Sequence, residues 1–155
     1  PHAMAGVVRR WVDADACPVN DEIYKVAWRH EVPVTIVSNS RIRIPEHALI
    51  DRIVVGDGFD AADDWIAEAS GATSIVITSD ILLADRCLKV GATVIAATGK
   101  PFTTSSIGAA IATRAIMADL RAGGAQIGGP APFSKTDRSQ FLQALDRAVV
   151  QLRRR

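Results

Sequence analysis

Two carboxylates, Asp13 and Asp15, stand two positions apart directly after the apolar run Val7 to Val12. In an extended segment that spacing aims both toward one side. Two negative charges that close repel each other unless a cation or a proton lies between them. The chemistry such a pair suits is hard-metal binding or phosphoryl transfer. Asp15 alone also suits a cap on the helix that follows. Further carboxylates recur where another apolar run stops: Asp80 follows Ser74-Ile75-Val76-Ile77-Thr78, Asp85 lies five residues on, and Asp63 and Asp64 precede that run. Oxygen ligands of this kind are what Mg²⁺ or Mn²⁺ take. A pair of such ions would activate a water and stabilise the leaving oxygen of a phosphodiester. Simpler accounts remain open for each residue: Asp60 and Asp80 as helix caps, Asp64 and Asp85 as solvated helix charges.

The elements that must position these groups alternate. Val7 to Val12 reads as a first strand, and Pro18 opens a helix to about Arg29 with Ile23, Val26 and Ala27 at helical spacing. Val34 to Ser38 is a β-branched second strand, and Arg52 to Val55 a short third. A helix from Asp60 ends near Gly71, with Ile66 and Ala67 toward the core. Ser74 to Thr78 is apolar almost throughout, as a strand buried on both faces is. A helix from Ile81 to Val90 and a fifth strand from Thr93 to Ala96 follow. Alternation of this kind predicts an α/β fold with a parallel sheet of about five strands flanked by helices in three layers. Beyond Gly99 the pattern changes to a C-terminal helical extension. One helix spans Ser105 to Ala122, and a glycine- and proline-rich loop spans Gly123 to Pro132. Ser134-Lys135-Thr136-Asp137 is a capping box for a last helix, whose apolar face is Phe141, Leu145, Val149 and Leu152.

The bulk properties exclude several classes. The 155 residues suit one domain over residues 5–155, with an α/β core at 5–98 and the extension at 104–153. Residues 1–4 show no signal-peptide pattern and are expected to be a leader foreign to the domain. The apolar runs are short and broken by charge, so no membrane span is predicted. Cys17 and Cys87 are too few for a disulfide scaffold and lack zinc-site spacing, which makes the cytoplasm the default compartment. The net charge of +1 does not by itself announce nucleic acid. Aromatic residues are only 5%, so base-specific stacking is not indicated.

The motifs resemble a bacterial family of uncharacterised proteins, the YaiI/YqxD or UPF0178 family. The resemblance is carried by Val12-Asp13-Ala14-Asp15-Ala16-Cys17-Pro18, Val37-Ser38-Asn39 and Gly58-Phe59-Asp60-Ala61-Ala62-Asp63. It continues through Ile77-Thr78-Ser79-Asp80-Ile81-Leu82-Leu83-Ala84, Gly128-Gly129-Pro130 and Asp137-Arg138. More widely, the order of the carboxylates resembles PIN-like nucleases, with Asp13, Asp63, Asp80 and Asp85 in the corresponding places and Asp15 as an extra carboxylate. That resemblance implies a PIN-like domain performing Mg²⁺- or Mn²⁺-dependent hydrolysis of RNA, with DNA as the lesser candidate. It implies that Asp13 and Asp80 hold the principal ion while Asp15, Asp63 and Asp85 hold a second ion or orient water. Ser38 and Thr78 would support these ligands through hydrogen bonds. Arg41, Arg43 and Arg138 would contact phosphates, or else be ordinary solvated arginines.

Two other functions compete. Asp13 and Asp15 also look like the opening of a haloacid-dehalogenase-type phosphatase, with the first as nucleophile and the second as acid/base. That family needs a lysine between its hydroxyl motif and its last acidic motif, and none lies between Ser38 and Asp80. A non-catalytic module that binds metal or RNA is the third possibility.

Overall fold

The computed structural model describes residues 9–13, 19–38, 47–56, 61–124 and 133–153, the side chains of residues 9–13 and of Arg121 excepted. Asp15, Cys17, Arg41, Arg43, Asp60 and the Gly128-Gly129-Pro130 loop lie outside the described residues. Within them the chain is a mixed α/β protein of five helices and six strands. In order these are β1 (Arg9–Asp13), α1 (Asn20–His30), β2 (Val34–Ser38), β3 (Ile50–Val54), α2 (Ala61–Ala69) and β4 (Ser74–Ile77). Then follow α3 (Ile81–Lys89), β5 (Thr93–Ile95), β6 (Pro101–Phe102), α4 (Ile107–Ala122) and α5 (Lys135–Arg153). None of the described helices is long and apolar enough to cross a membrane.

The strands hydrogen-bond in the order β3-β2-β1-β4-β5-β6. β1 to β5 pair in parallel, whereas β6 pairs antiparallel with β5 through Val94↔Phe102 and Ile95↔Pro101. The sequence pattern predicts about five strands and does not reveal this sixth. Two residues are too short to leave a periodicity, and a proline argues against a strand except at an edge. β3 and β6 are the two edges.

Alternation along the strands separates two cores. Ile36, Ile75, Ile77 and Ile95 join the α1 residues Ile23, Val26 and Ala27 and the α5 residues Phe141, Leu145 and Val149. Val37, Val76 and Val94 instead join Ile66 of α2, Leu83 and Cys87 of α3 and Ile107 of α4. Each fully buried Val, Leu, Ile or Phe side chain among them contributes on the order of 1.5–3 kcal/mol through removal of apolar surface from water. The two clusters belong to opposite sheet faces, because neighbouring strand residues point opposite ways. α5 is therefore structural to the core over α1, and not an appendage to it.

The helix starts have local causes. Ser134 and Asp137 form the predicted capping box: the Ser134 N–H donates to Asp137 Oδ2 at 3.0 Å, and the Asp137 N–H donates to Ser134 Oγ at 3.1 Å. α4 begins at Ile107, two residues later than the sequence pattern suggests. The Thr103 N–H donates to Ser106 Oγ at 3.2 Å and the Ser106 N–H to Thr103 Oγ1 at 3.1 Å, a reciprocal exchange that sets the boundary. Past its first turns α4 leaves the core, and Ile116 and Leu120 are exposed.

Candidate active site

The chain moves from β1 outward through β2 to β3, then returns to the other side of β1 with β4 and β5. The order of travel reverses between β1 and β4. In an open α/β sheet the crevice outside the carboxyl ends of strands at such a reversal is where ligands bind. Asp13 is the last residue of β1 and Asp80 follows the end of β4. The register pairs Val12 with Ile77, so the backbone of Asp13 stands level with Thr78. On its other side Asp13 pairs with Val37, one residue before Ser38.

The β4–α3 junction is tightly specified. Thr78 is fully buried, and its N–H donates to the Ile95 carbonyl at 3.3 Å. Its hydroxyl accepts the Asp80 N–H at 3.0 Å, which fixes the backbone of the carboxylate-bearing residue. Asp80 is extended, at φ −82° and ψ 112°, and caps α3. Both cap bonds fall on one oxygen: Oδ1 accepts the N–H groups of Leu82 at 2.9 Å and Leu83 at 3.2 Å. The capping and ligand roles of Asp80 therefore do not compete for the same atom, since Oδ2 takes no part in the cap. Ser38 is buried at the end of β2, and its carbonyl accepts the Val55 N–H at 2.9 Å.

Asp63 lies in the first turn of α2. α2 and α3 run in the same direction, because each returns the chain to a parallel strand. Cys87 Sγ approaches Ser70 Oγ at 3.8 Å, and Asp63 is near enough to Arg86 and Cys87 to raise the pKa of each. Asp64 points elsewhere, to Arg86 Nη1 at 2.8 Å, and that hydrogen bond raises the arginine pKa. Asp85 is held by Lys89 Nζ at 3.0 Å. It sits five residues beyond Asp80, about 7 Å further along the helix axis. The structure thus sets Asp80 and the end of β1 at one edge of the sheet, with Asp85 lower on α3. Among the described residues no group of three His, Cys, Asp or Glu side chains could hold a metal ion. All the carboxylates concerned offer hard oxygen donors, the chemistry that suits magnesium or manganese.

Arg138 lies in the first turn of α5. Its Nη1 stands 3.5 Å from Glu22 Oε1, and its guanidinium lies over the Phe133 ring at 5.0 Å. Glu22 is in the first turn of α1, so this pair stands at the same edge of the sheet as Asp13. Sequence inspection passes over Glu22, because an acidic residue there reads as ordinary complement to the helix dipole. Its Oε2 is buried without a hydrogen-bond partner. Cys87 is the free cysteine among the described residues, and burial pushes its thiol pKa up, which makes it unreactive.

A mixed α/β domain with carboxylates at its topological reversal is a general class, and comparison with known proteins narrows it. A profile described as the uncharacterised BCR, YaiI/YqxD family matches residues 11–151. A UPF0178 protein of Sphingopyxis alaskensis is 71% identical over 144 residues, covering 92% of this chain and 94% of the relative. One from Nitrobacter winogradskyi is 60% identical over 147 residues, covering 95% and 94%. Another from Rhodopseudomonas palustris is 58% identical over 149 residues, covering 96% and 94%. The chain belongs to the YaiI/YqxD (UPF0178) family.

Proposed function

We propose that this protein is a PIN-like, Mg²⁺- or Mn²⁺-dependent phosphodiesterase acting on RNA, in a three-layer α/β domain. The observation that supports this reading is the adjacency of the β1 and β4 carboxyl ends at the reversal of strand order. Asp13 and Asp80 would hold the principal ion, and Asp15, Asp63 and Asp85 would hold a second ion or orient water. A divalent ion bound there supplies Lewis acidity toward a phosphoryl oxygen and lowers the pKa of a bound water.

The chain's own groups have separate tasks. Thr78 fixes the Asp80 backbone through its hydroxyl, and Ser38 supports the β2 side of the crevice. Asp80 caps α3 with Oδ1 alone, which leaves Oδ2 outside the cap. Arg138, propped by Glu22 and Phe133, offers a guanidinium to phosphate at the same edge, with Arg41 and Arg43 as further contacts.

The test is incubation with labelled RNA, labelled DNA and a chromogenic phosphomonoester in Mn²⁺ or Mg²⁺. RNA cleavage that disappears in Asp13→Asn and Asp80→Asn supports the proposal. Monoester turnover with a trapped aspartyl-phosphate would replace it with the phosphatase, and RNA binding without cleavage would reduce it to a binding module.

A further inference from the structure

The charges of this chain are divided along its length. Residues 1–85 hold seven Lys/Arg against fourteen Asp/Glu, a net −7, while residues 86–155 hold eleven against three, a net +8. Between Arg86 and Ala118 there are four cationic residues and no carboxylate. The overall +1 conceals this polarity, and asymmetry of that kind is a mark of polyanion binding.

The cationic half builds a cleft of about 410 Å³ between the β5–β6 turn and α5. The turn contributes Thr98, Gly99 and Lys100, and α5 contributes Gln140, Gln143 and Arg147. These three α5 positions follow one another at three and four residues, so they share one helix face. Gly99 has φ +86°, and a Cβ there would lie 2.6 Å from the Gln140 backbone carbon. The turn therefore rests directly on the α5 backbone, which fixes Lys100 relative to Arg147. Among the described residues neither Lys100 nor Arg147 forms an ion pair. The neighbouring carboxylate Asp146 is taken by His30 at 2.7 Å and Arg29 at 3.1 Å. Two unspent cations, two amides and a hydroxyl around one opening are the donors a phosphate group seeks.

Position supplies the rest. The turn follows β5 directly, and Ile95 at the end of that strand accepts the Thr78 N–H at 3.3 Å. β5 neighbours β4 in parallel, so the turn leaves the sheet at the same carboxyl edge at which Asp80 follows β4.

We propose that this cleft is a phosphate-binding subsite for single-stranded RNA, in which Lys100 and Arg147 hold backbone phosphates of a strand whose neighbouring segment crosses the β1/β4 crevice. The proposal rests on the phosphodiesterase reading for its direction, and binding alone tests it. The measurement is fluorescence anisotropy of a fluorescein-labelled twelve-nucleotide single-stranded RNA in EDTA, across a salt series. Lys100→Gln/Arg147→Gln is expected to bind at least tenfold more weakly, with the slope of log affinity against log salt reduced by about one to two. Lys25→Gln/Arg114→Gln removes the same charge from α1 and α4 and is expected to stay within about twofold of the parent. Inorganic phosphate or a mononucleotide in equal phosphate concentration should compete far less well than unlabelled RNA. Equal losses in both double variants, no loss in the cleft variant, no RNA binding by the parent, or equal competition by free phosphate would each overturn the subsite. Cleavage by Asp80→Asn, read apart from binding, separates the two proposals. If Asp80→Asn still cleaves while the cleft variant loses binding, the phosphodiesterase assignment falls and the subsite stands. If RNA is cleaved and the cleft variant binds normally, the reverse holds.

Discussion

The starts of α3 and α5 use the same residue type for different ends. At α5, Asp137 closes a reciprocal box with Ser134, two bonds inside four residues. At α3, Asp80 caps two N–H groups through Oδ1 and is itself steadied by Thr78, a buried residue at the end of a central strand. The difference lies in what surrounds the cap. Asp137 begins a helix that packs with α1 on one face of the sheet, whereas Asp80 follows a central strand beside β1 where the strand order reverses. A capping aspartate thus becomes a candidate ligand through its place in the sheet, and nothing in its own hydrogen bonds with the helix declares it.

The sharpest way to break that contrast is Asp80→Ser. Serine caps a helix about as well as aspartate, so the melting temperature should stay within about 2 °C while RNA cleavage falls by about a hundred- to thousandfold. Equal loss of stability and cleavage would make Asp80 a structural cap like Asp137. Next in size is Gly99→Ala, which should destabilise by about 2–3 kcal/mol, from the left-handed backbone and the clash with α5. Urea denaturation measures it, and a neutral result would mean that the turn does not brace α5. Ser134→Ala should cost about 1 kcal/mol, or about 2–4 °C in Tm, and leave cleavage unchanged. A loss of cleavage there would erase the distinction between the two helix starts.

The smallest effect belongs to the far end of α5. The hydrogen bond from His30, with Arg29 beside it, holds the Asp146 carboxyl pKa below its ordinary value. A depressed native pKa stabilises above the unfolded carboxylate's value, about 3.9, and that contribution is lost as pH falls through the lowered native one. Asp146→Asn should therefore lower Tm by about 1–2 °C near pH 6, and the gap from the parent should close in acid below about pH 4. A gap that widens on acidification would contradict the assignment.

Much of the fold is legible because its signals are local. The unbroken apolar run of β4 is buried at all four positions. The predicted stripes of α1 and α5 are the residues that fill the core on their face of the sheet. The Ser134 box could be read from four letters because all its bonds lie within them. Strand order carries no local signature, so the adjacency of Asp13 and Asp80 could be suspected but not read. β6 was invisible for the same reason, since its pairing depends on a glycine turn seated on a helix forty residues away. Asp85 and Lys89 pair at i, i+4, a spacing that is local and stands in the sequence. The cleft of Lys100 and Arg147 joins distant segments, and neither residue stands in a motif.

Among the described residues both rims of the sheet resist extension. One ends in two residues that open with Pro101, which has no N–H to donate, and the other carries Asp51 and Arg52 in its middle. Proline and charge at such positions discourage another chain from continuing the ladder. Among the described residues both edges therefore disfavour association by strand addition, and each would meet an approaching chain with a missing donor or a charge.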